Sequence, residues 1–537
     1  MARISSSHHR SPFWNAIQYT LLFGLCVVPF PSKSQINSDP PKDQYDILIL
    51  SPFSSWSHRY YFLTLAEALA ERGHTIYIIN GWPPGSKHKN VIEINHGINA
   101  LDFEASFFEI REKDITGGWK YFNHPLLKLV KMYDNPKIME LYKKRDEFDL
   151  IFVDEIFNEV AYPFVVGKTF GVIAAAGLNS PTSAILGNVL NPSYTPSMNS
   201  DYPRPYSFIN RIANLVNHLY LPIYWRIFEI FPLLEKTLSE RFPDLPPLDE
   251  IEKGISLVLQ NTHYSMDVPV PLLPSQVEVG GLHCRPARPL PKDLQTFIDE
   301  SGSYGVIYFS LGTVCQGNTI PENFKKILVE AFSKLKQRVI WKFEEEFENL
   351  PKNIMIKNFL PQQDILGHPK VKLFITHGGL LSMQESIYHG KALLALPIFG
   401  DQVKNAERLR YKGFGDYLNW EDLTVQIVIS KIEEIINNPN YKSRIENASI
   451  AFRDQPMPPL EKAVWWTEYV IRNKGAPQLR SPARDLSWIE YLMIDILLLI
   501  LFIFFLIYVI FKKIIRIIYS VLFVTSSESV KSKRKRE

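Results

Sequence analysis

Residues 359–402 read FLPQQDILGHPKVKLFITHGGLLSMQESIYHGKALLALPIFGDQ. Within this stretch an apolar run from Val371 to Ile375 ends in Thr376-His377-Gly378-Gly379, and a helical spacing then carries Met383, Ile387 and Tyr388. The order predicts a strand, a glycine turn and a helix start. Such a junction aims unpaired backbone N–H groups and the positive end of a helix dipole at one point, which suits a phosphate, and glycine lets the backbone approach it closely. Taken alone, the same glycines also fit a tight connection with no ligand, so the surroundings must decide.

Outward from this block, short β-rich runs alternate with helical segments, which predicts an α/β architecture with largely parallel sheets. The runs around it are 305–310, 339–341, 354–358, 371–376 and 392–396. A comparable series starts near the N-terminus with strand 45–50, helix 57–72 and strand 75–80, and Gly73 sits where the helix should stop. The Pro-rich stretch 286–292 suits a stiff linker. The expected organisation is therefore two Rossmann-like domains, 35–282 and 304–487, joined by a linker over 283–303. Domains of this kind bind ligands outside the carboxyl ends of their strands, so two that face one another enclose a cleft. Residues 181–246 depart from the alternation and are rich in aromatics and prolines. There Tyr220, Tyr224, Trp225, Phe228 and Phe231 are candidates to line a binding site or touch a membrane surface, with ordinary core packing as the simpler role for any one of them.

The chain has 537 residues and is 46% hydrophobic, enough for two to four domains with large cores. Its net charge of +3 is unevenly placed: residues 512–537 carry eight Lys or Arg and two Glu, a net +6, so the rest sums to −3. A terminal basic tail without interleaved aromatics argues against a nucleic-acid partner. The tail instead follows ILLLILFIFFLIYVIF, residues 496–511, which with the residues from Leu492 predicts a transmembrane helix over 492–511. Lys512, Lys513 and Arg516 come next, so the positive-inside rule puts residues 512–537 in the cytosol and the bulk of the chain across the membrane. Asp495 lies near the lumenal end of the span, within reach of the interface.

At the other terminus Arg3, His8, His9 and Arg10 precede an apolar stretch, 16–30, and a small-residue cleavage site at Ser32-Lys33-Ser34, which predicts a signal peptide over 1–34. Together these features predict a single-pass type I protein with lumenal domains. Lys533 and Lys535, five and three residues from the end, resemble a retrieval signal for the endoplasmic reticulum. Cys26 would leave with the signal peptide, and Cys284 and Cys315 remain, bridged or free. Asn447-Ala448-Ser449 is an acceptor sequence for N-glycosylation and is consistent with a lumenal glycoprotein.

Read whole, residues 359–402 resemble the signature of the UDP-glycosyltransferase family, membrane-bound enzymes that attach sugar from a UDP-sugar to small lipophilic acceptors. The likeness rests on Phe359-Leu360-Pro361-Gln362, on His377-Gly378-Gly379, on Glu385 eight residues after that histidine, and on Asp401-Gln402. VGGLHCRPARPLPKDLQTFIDES from Val279 and AVWWTEYVIRNKGAPQLR from Ala463 resemble family segments around the linker and a crossing C-terminal helix. The resemblance implies the GT-B arrangement, with acceptor on the N-terminal half and nucleotide sugar on the C-terminal half. It implies that Phe359 stacks on uracil, Gln362 meets the base edge, and His377 with the amides of Gly378 and Gly379 holds the diphosphate. Glu385 would hold the ribose hydroxyls, and Asp401 with Gln402 the sugar hydroxyls. Two residues depart from the pattern. Phe359 stands where Trp is usual and offers less stacking area, and Leu381 stands where many relatives have Asn, which passes a phosphate contact to Ser382.

Glycosyl transfer to a hydroxyl needs a base for the acceptor proton and stabilisation of the departing diphosphate. His58, after the first strand and at the start of the next helix, is the candidate base, and the helix dipole there is expected to keep its ring neutral. A Ser-His pair at a helix start is equally an ordinary N-cap, and it is the likeness to the family's Ser-His motif that favours catalysis. Asp154, at the end of the run 148–153, is the expected partner of His58 and fixes its tautomer. Asp149, at the strand start, and Glu155 are rival acids. No two Asp are two residues apart and there is no Cys/His cluster, so no metal or other cofactor is expected. Leaving-group stabilisation falls to backbone amides, His377 and Ser382, with Ser310 and Thr313 as further contributors.

The sequence thus points to an inverting, metal-independent hexosyltransferase, with UDP-glucose ahead of UDP-glucuronate as donor. Its expected partners are the UDP-sugar, a lipophilic acceptor, the membrane, and a homo- or hetero-oligomer with relatives. Detoxification is one role open to such an enzyme. The alternative is a catalytically impaired relative that binds lipophiles or modulates an active partner.

Overall fold

The computed structural model describes residues 43–533, apart from 102, 104, 105, 114–120, 122, 178, 199, 316, 346 and 348. The expected signal peptide, Cys26 and residues 534–537 of the basic tail lie outside the described residues.

Two parallel sheets organise the chain. The first contains β1 (Asp46–Ser51), β2 (Thr75–Asn80), β3 (Val91–Asn95), β4 (Leu150–Asp154), β5 (Phe170–Ala174), β6 (Ile255–Gln260) and β7 (Gln276–Glu278), in the order β3-β2-β1-β4-β5-β6-β7. The second contains β8 (Val306–Ser310), β9 (Arg338–Lys342), β10 (Ile354–Lys357), β11 (Val371–Thr376), β12 (Ala392–Ala395) and β13 (Gly415–Tyr417), in the order β10-β9-β8-β11-β12-β13. Central strands such as LIFVD (β4) and VIYFS (β8) are buried along their whole length, as a parallel sheet covered on both faces requires. The strand order reverses between β1 and β4 in one sheet and between β8 and β11 in the other. These are the switch points at which doubly wound sheets open a crevice for ligands.

Helix α1 (Trp56–Glu71) starts from Ser55, whose hydroxyl accepts from the His58 N–H at 3.3 Å. The cap is therefore two residues earlier than the Ser57-His58 pair suggested. Past the helix end, Gly73 adopts φ +102°, a left-handed turn that favours glycine. A second helix reaches into the opposite half. From the first half, α2 (Phe107–Lys113) inserts Phe108 edge-on against Trp420 in the core of the second. The middle region holds α3 (Phe208–Ile223), which runs into a π-helical turn ending at Phe228. Trp225 and Phe231 are buried there, whereas Tyr220 and Phe228 are exposed.

In the second half α4 (Leu380–Tyr388) follows β11, α5 (Asp401–Lys412) follows β12, and α6 (Pro439–Arg453) packs on α4. Helix α7 (Pro459–Arg472) then crosses back and buries Ala463, Val464 and Val470 in the first half's core with Ile47, Ile49 and Phe62. Its Glu468 accepts from Arg72 Nε at 2.5 Å and lies 3.2 Å from His74 Nε2. Burial alone would raise that carboxyl, but the bonds from His74 and Arg72 outweigh it and hold its pKa at about 2.

The C-terminal helix α8 (Ile494–Lys533) contains most of the expected span and continues beyond it. It begins after Met493, whose φ of 51° breaks the chain direction, and its apolar stretch continues exposed to Phe523, 30 residues in all. Lys512, Lys513 and Arg516, which closed the expected span at Phe511, lie within the helix. Ile514, Ile515, Ile517 and Ile518 carry the apolar character past those charges.

Cys284 and Cys315 are both free thiols. Asn447 is exposed but sits within α6, and the Ser449 hydroxyl is buried and donates to the Tyr388 carbonyl at 2.7 Å. The acceptor sequence thus occupies a helix instead of the surface loop that glycosylation favours.

Candidate functional site

At the switch point of the first sheet, α1 brings His58 to the end of β4. His58 Nδ1 lies 3.4 Å from Asp154 Oδ2, which also accepts from the Ser51 hydroxyl at 3.0 Å. Asp154 is 2% exposed, and the imidazole edge bearing Nε2 is the one left for a substrate. Burial opposes the charged ring, but the bond to Asp154, that carboxylate's charge and the charge of Asp401 outweigh it and lift the His58 pKa above the ordinary value of 6.5. The direction is opposite to the lowering that a helix start alone would give. The rivals separate by position. Asp149 accepts from the Asp46 N–H at 2.8 Å at the opposite end of the strands, and Glu155 lines a cavity with Phe157, Thr182, Leu221 and Trp225. Burial pushes the Glu155 carboxyl up to about 8, with the Asp154 charge adding to the rise and Thr182 opposing it.

The second switch point supplies the glycine turn. Gly378 adopts φ +86°, its carbonyl accepts from Asn405 Nδ2 at 3.0 Å, and Gly379 caps the start of α4. The His377 ring lies against two glycines: a Cβ on Gly312 would stand 2.7 Å from its Cε1, and one on Gly379 would stand 2.6 Å from its Nε2. No other residue type fits there without moving the ring. Burial first, then the charge of Lys342, lowers the His377 pKa to about 4, so this histidine is neutral at physiological pH. Ser310 ends β8 and accepts from the Gly312 N–H at 3.2 Å, and the buried Thr313 hydroxyl has no hydrogen-bond partner among the described residues. An orphaned buried hydroxyl beside a glycine turn matches what a phosphate oxygen would satisfy.

Other predicted donor contacts form a network on α4. Gln362 Nε2 donates to Ser382 Oγ at 3.1 Å and to Glu385 Oε2 at 2.5 Å, and its carbonyl accepts from the Tyr308 hydroxyl at 3.1 Å. Burial raises the Glu385 carboxyl to about 7, against the opposing bond from Gln362 and the charge of Arg285. The Phe359 ring is 74% exposed, open on its faces to a stacking partner. Asp401 Oδ2 accepts from Asn405 Nδ2 at 2.8 Å. Gln402, the expected second sugar contact, lies at the start of α5. It is 4% exposed, and its carbonyl accepts from the N–H groups of Ile398 at 2.8 Å and Phe399 at 3.2 Å, so this oxygen holds its own loop.

The two halves meet at this site. The electrostatic coupling of His58 to Asp401 crosses the cleft, and the ion pair of Arg285 with Asp364 at 2.5 Å ties the linker to the second half. Gln384 Nε2 donates to the Asn261 carbonyl at 3.2 Å, and the Leu381 carbonyl pairs with His283 Nε2 at 3.3 Å. The Leu381 side chain packs on the first half's core, which gives this departure a structural role. Sequence reasoning missed Asn405, which holds both Gly378 and Asp401. The available signal was its position four residues after Asp401 on one helix.

A family model described as UDP-glucoronosyl and UDP-glucosyl transferase matches residues 121–529. The chain is 35% identical over 467 residues to UDP-glycosyltransferase UGT5 of Dactylopius coccus, covering 84% of this chain and 88% of that protein. It is 30% identical over 481 residues to UDP-glucuronosyltransferase 2B15 of Homo sapiens, covering 83% and 88%. Among solved structures, it superposes on a UDP-glucosyltransferase from Polygonum tinctorium capable of glucosylating indoxyl with a TM-score of 0.56 at 16% identity, over 80% of this chain and 99% of that one. CalG4, the calicheamicin glycosyltransferase, gives 0.52 at 17%, over 81% and 100%. The fold is that of a GT-B glycosyltransferase. With the family model and these relatives, the chain belongs to the UDP-glucuronosyl and UDP-glucosyl transferase family.

Proposed function

We propose that the protein transfers a hexose, glucose ahead of glucuronate, from a UDP-sugar to a hydroxyl of a small lipophilic acceptor with inversion. The observation that carries this reading is the His58–Asp154 pair, at 3.4 Å, on one wall of a cleft whose other wall presents Asp401 and the His377-Gly378-Gly379 turn. The acceptor hydroxyl gives its proton to His58 Nε2 as its oxygen bonds to the anomeric carbon. On the opposite face the bond from that carbon to the phosphate oxygen breaks, and UDP leaves with its electron pair. Asp154 holds the ring and balances the imidazolium. The amides of the glycine turn, His377, Ser382, Ser310 and Thr313 receive the diphosphate, with no metal or other cofactor assigned. Phe359 and Gln362 meet uracil, Glu385 the ribose and Asp401 with Gln402 the sugar. The cavity beside Glu155, largely apolar around Phe157, Leu221 and Trp225, suits a lipophilic acceptor.

The apolar stretch 492–511 anchors the chain in the endoplasmic reticulum membrane, with both domains lumenal and residues 512–537 cytosolic. The choice of glucose draws on the glucosyltransferase relatives, one of which is 32% identical. The impaired-relative alternative has no observation in its favour. Incubating membranes bearing the protein with UDP-glucose, UDP-glucuronate and a simple phenol tests the donor, and nuclear magnetic resonance of the product tests inversion. An α-linked product contradicts the mechanism, and product formed equally well by His58→Ala contradicts the base.

A further inference from the structure

Two carboxyls on the wall of the acceptor cavity have no part in the proposed proton transfer. The sheet ladder continues one residue past Asp154, with the Glu155 N–H donating to the Ile173 carbonyl at 3.1 Å, so the Glu155 carboxyl projects away from the one that meets His58 and lines the cavity. Glu159 follows at the start of a short 3-10 turn, Glu159–Val165. It is 8% exposed; its Oε1 accepts from Trp225 Nε1 at 2.8 Å, while its Oε2 is buried with no hydrogen-bond partner among the described residues. A buried carboxyl oxygen left unpaired is costly, and on a cavity wall it marks the place of a donor that arrives with a ligand. A third acid of the cavity, Glu252, is satisfied: Arg226 donates to its two oxygens at 2.5 and 2.9 Å and the Tyr162 hydroxyl at 2.9 Å. Arg226 is therefore already engaged, and among the described residues no cation forms an ion pair with Glu155 or Glu159. Burial first, and then the charge of Glu252, pushes the Glu159 carboxyl up to about 7, against the bonds from its own N–H and Trp225 and the weaker charge of Arg226. On Glu155 the charge of Lys404, reaching from α5, is weaker than burial, the bond from Thr182 and the charge of Asp154. Beside these acids, Phe157 holds φ +61°, an uncommon conformation for an aromatic residue, with its ring 4.9 Å from that of Trp225.

We infer that the acceptor carries, besides its hydroxyl, an organic ammonium group that seats against Glu155, Glu159 and the rings of Phe157 and Trp225. The inference rests on the transferase reading and names its acceptor class: a lipophile with a basic nitrogen. A neutral hydroxyl or amide could bond one carboxyl oxygen but would leave two acids in an apolar wall without countercharge. An ammonium supplies both the donor that Glu159 Oε2 lacks and the charge, and aromatic faces attract it as well. The protons that burial keeps on the two carboxyls near neutral pH leave as the cation arrives, so binding releases protons.

The test uses the full chain in phosphatidylcholine nanodiscs with the donor sugar that the phenol assay selects. kcat/KM is measured for para-(aminoalkyl)phenols of increasing chain length, for the matching alkylphenols and for the hydroxyalkylphenols. At the best length the amine should exceed both neutral partners by about tenfold or more, and in Glu155→Gln, Glu159→Gln that ratio should fall by about tenfold. No preference for the amine at any length, a hydroxyalkylphenol as good as the amine, or a preference that survives in the double variant overturns the inference. Should the double variant fail to fold, judged by lost UDP binding in calorimetry, Glu155→Gln alone is read the same way, with an expected fall of about threefold. Recognition is separated from transfer by titrating phenylalkylamines, which have no hydroxyl, in buffers of different ionisation enthalpy. Binding with proton release that the variant loses supports the site even where no phenol is glycosylated, a result that sinks the transferase reading alone. Failure of every phenylalkylamine to bind overturns the inference whether or not phenols react.

Discussion

Each half of the molecule sets a histidine at the switch point of a parallel sheet, and the two environments are opposite. His58 meets Asp154 at 3.4 Å and the field of Asp401, and its pKa is raised. His377 meets burial, two glycines and the charge of Lys342, and its pKa falls to about 4. Similar topology therefore supports two chemistries. A ring flanked by carboxylates can take up and release a proton near neutral pH, whereas a ring with no carboxylate beside it serves by shape and hydrogen bonding. In the proposed mechanism the acceptor half moves the proton and the donor half holds the leaving group.

The sharpest way to break this division is His58→Ala. Its kcat should fall by roughly 10²- to 10⁴-fold, the range for removing a general base, with UDP affinity measured by calorimetry within about twofold of wild type. A comparable loss of UDP binding would mean that His58 is part of the donor site and that the halves do not divide the work.

Asp154→Asn comes next. The expected fall in kcat is roughly 10- to 10³-fold, because the amide can neither fix the tautomer nor balance the imidazolium. Its pH profile separates this from a general disturbance. In the wild type kcat/KM should decline on the acid side through a pKa above 6.5, since the base must be neutral to act and its carboxylate neighbours raise that pKa. In Asp154→Asn burial dominates and the limb should move to lower pH. The same linkage gives the stability sign: the attraction between imidazolium and Asp154 is fully present below the unfolded histidine pKa and is lost as pH rises through the raised folded value. A variant limb that stays in place would assign the shift to Asp401 alone.

On the donor side, Gly379→Ala should raise the UDP-sugar KM by roughly tenfold, with a smaller change in kcat, because the new Cβ would stand 2.6 Å from His377 Nε2 and displace the ring. Its acid limb should match that of the wild type. A moved limb would show that His377 takes part in proton transfer after all.

How much of this was legible in the sequence follows the range of the interactions. Strands 75–80 and 371–376 are readable to the residue, because an apolar β-rich run bounded by polar and glycine positions is a local pattern. The glycine turn is readable for the same reason. The C-terminal helix runs on past Lys512, because the isoleucines beyond it keep the apolar pattern. The coupling of His58 to Asp401 and the role of Leu381 in the seam depend on pairs hundreds of residues apart or on how two domains close, which spacing does not encode. The orientation of α3 was illegible in another sense. Its amphipathic spacing is plain, but only the bonds of Asn214, Asn217 and His218 reveal which side faces inward.

The smallest expected effect concerns the residue that opens the donor block. Phe359 is 74% exposed and makes its proposed contact through a ring face alone, with no polar handle. Phe359→Trp enlarges that face, and stacking gains of a fraction to about 1 kcal/mol should lower the UDP-sugar KM by about two- to fivefold without moving kcat or the pH limbs. Because the ring is exposed, a larger one fits without disturbing the core, so a failure of the KM to fall would reflect the absence of stacking and not a damaged fold. That outcome would shift uracil recognition onto the Gln362–Glu385 network, whose 2.5 Å bond already ties the base-edge residue to the ribose residue. It would also make the donor half's affinity a property of its buried polar network, as different from the proton-handling half as the two histidines are from one another.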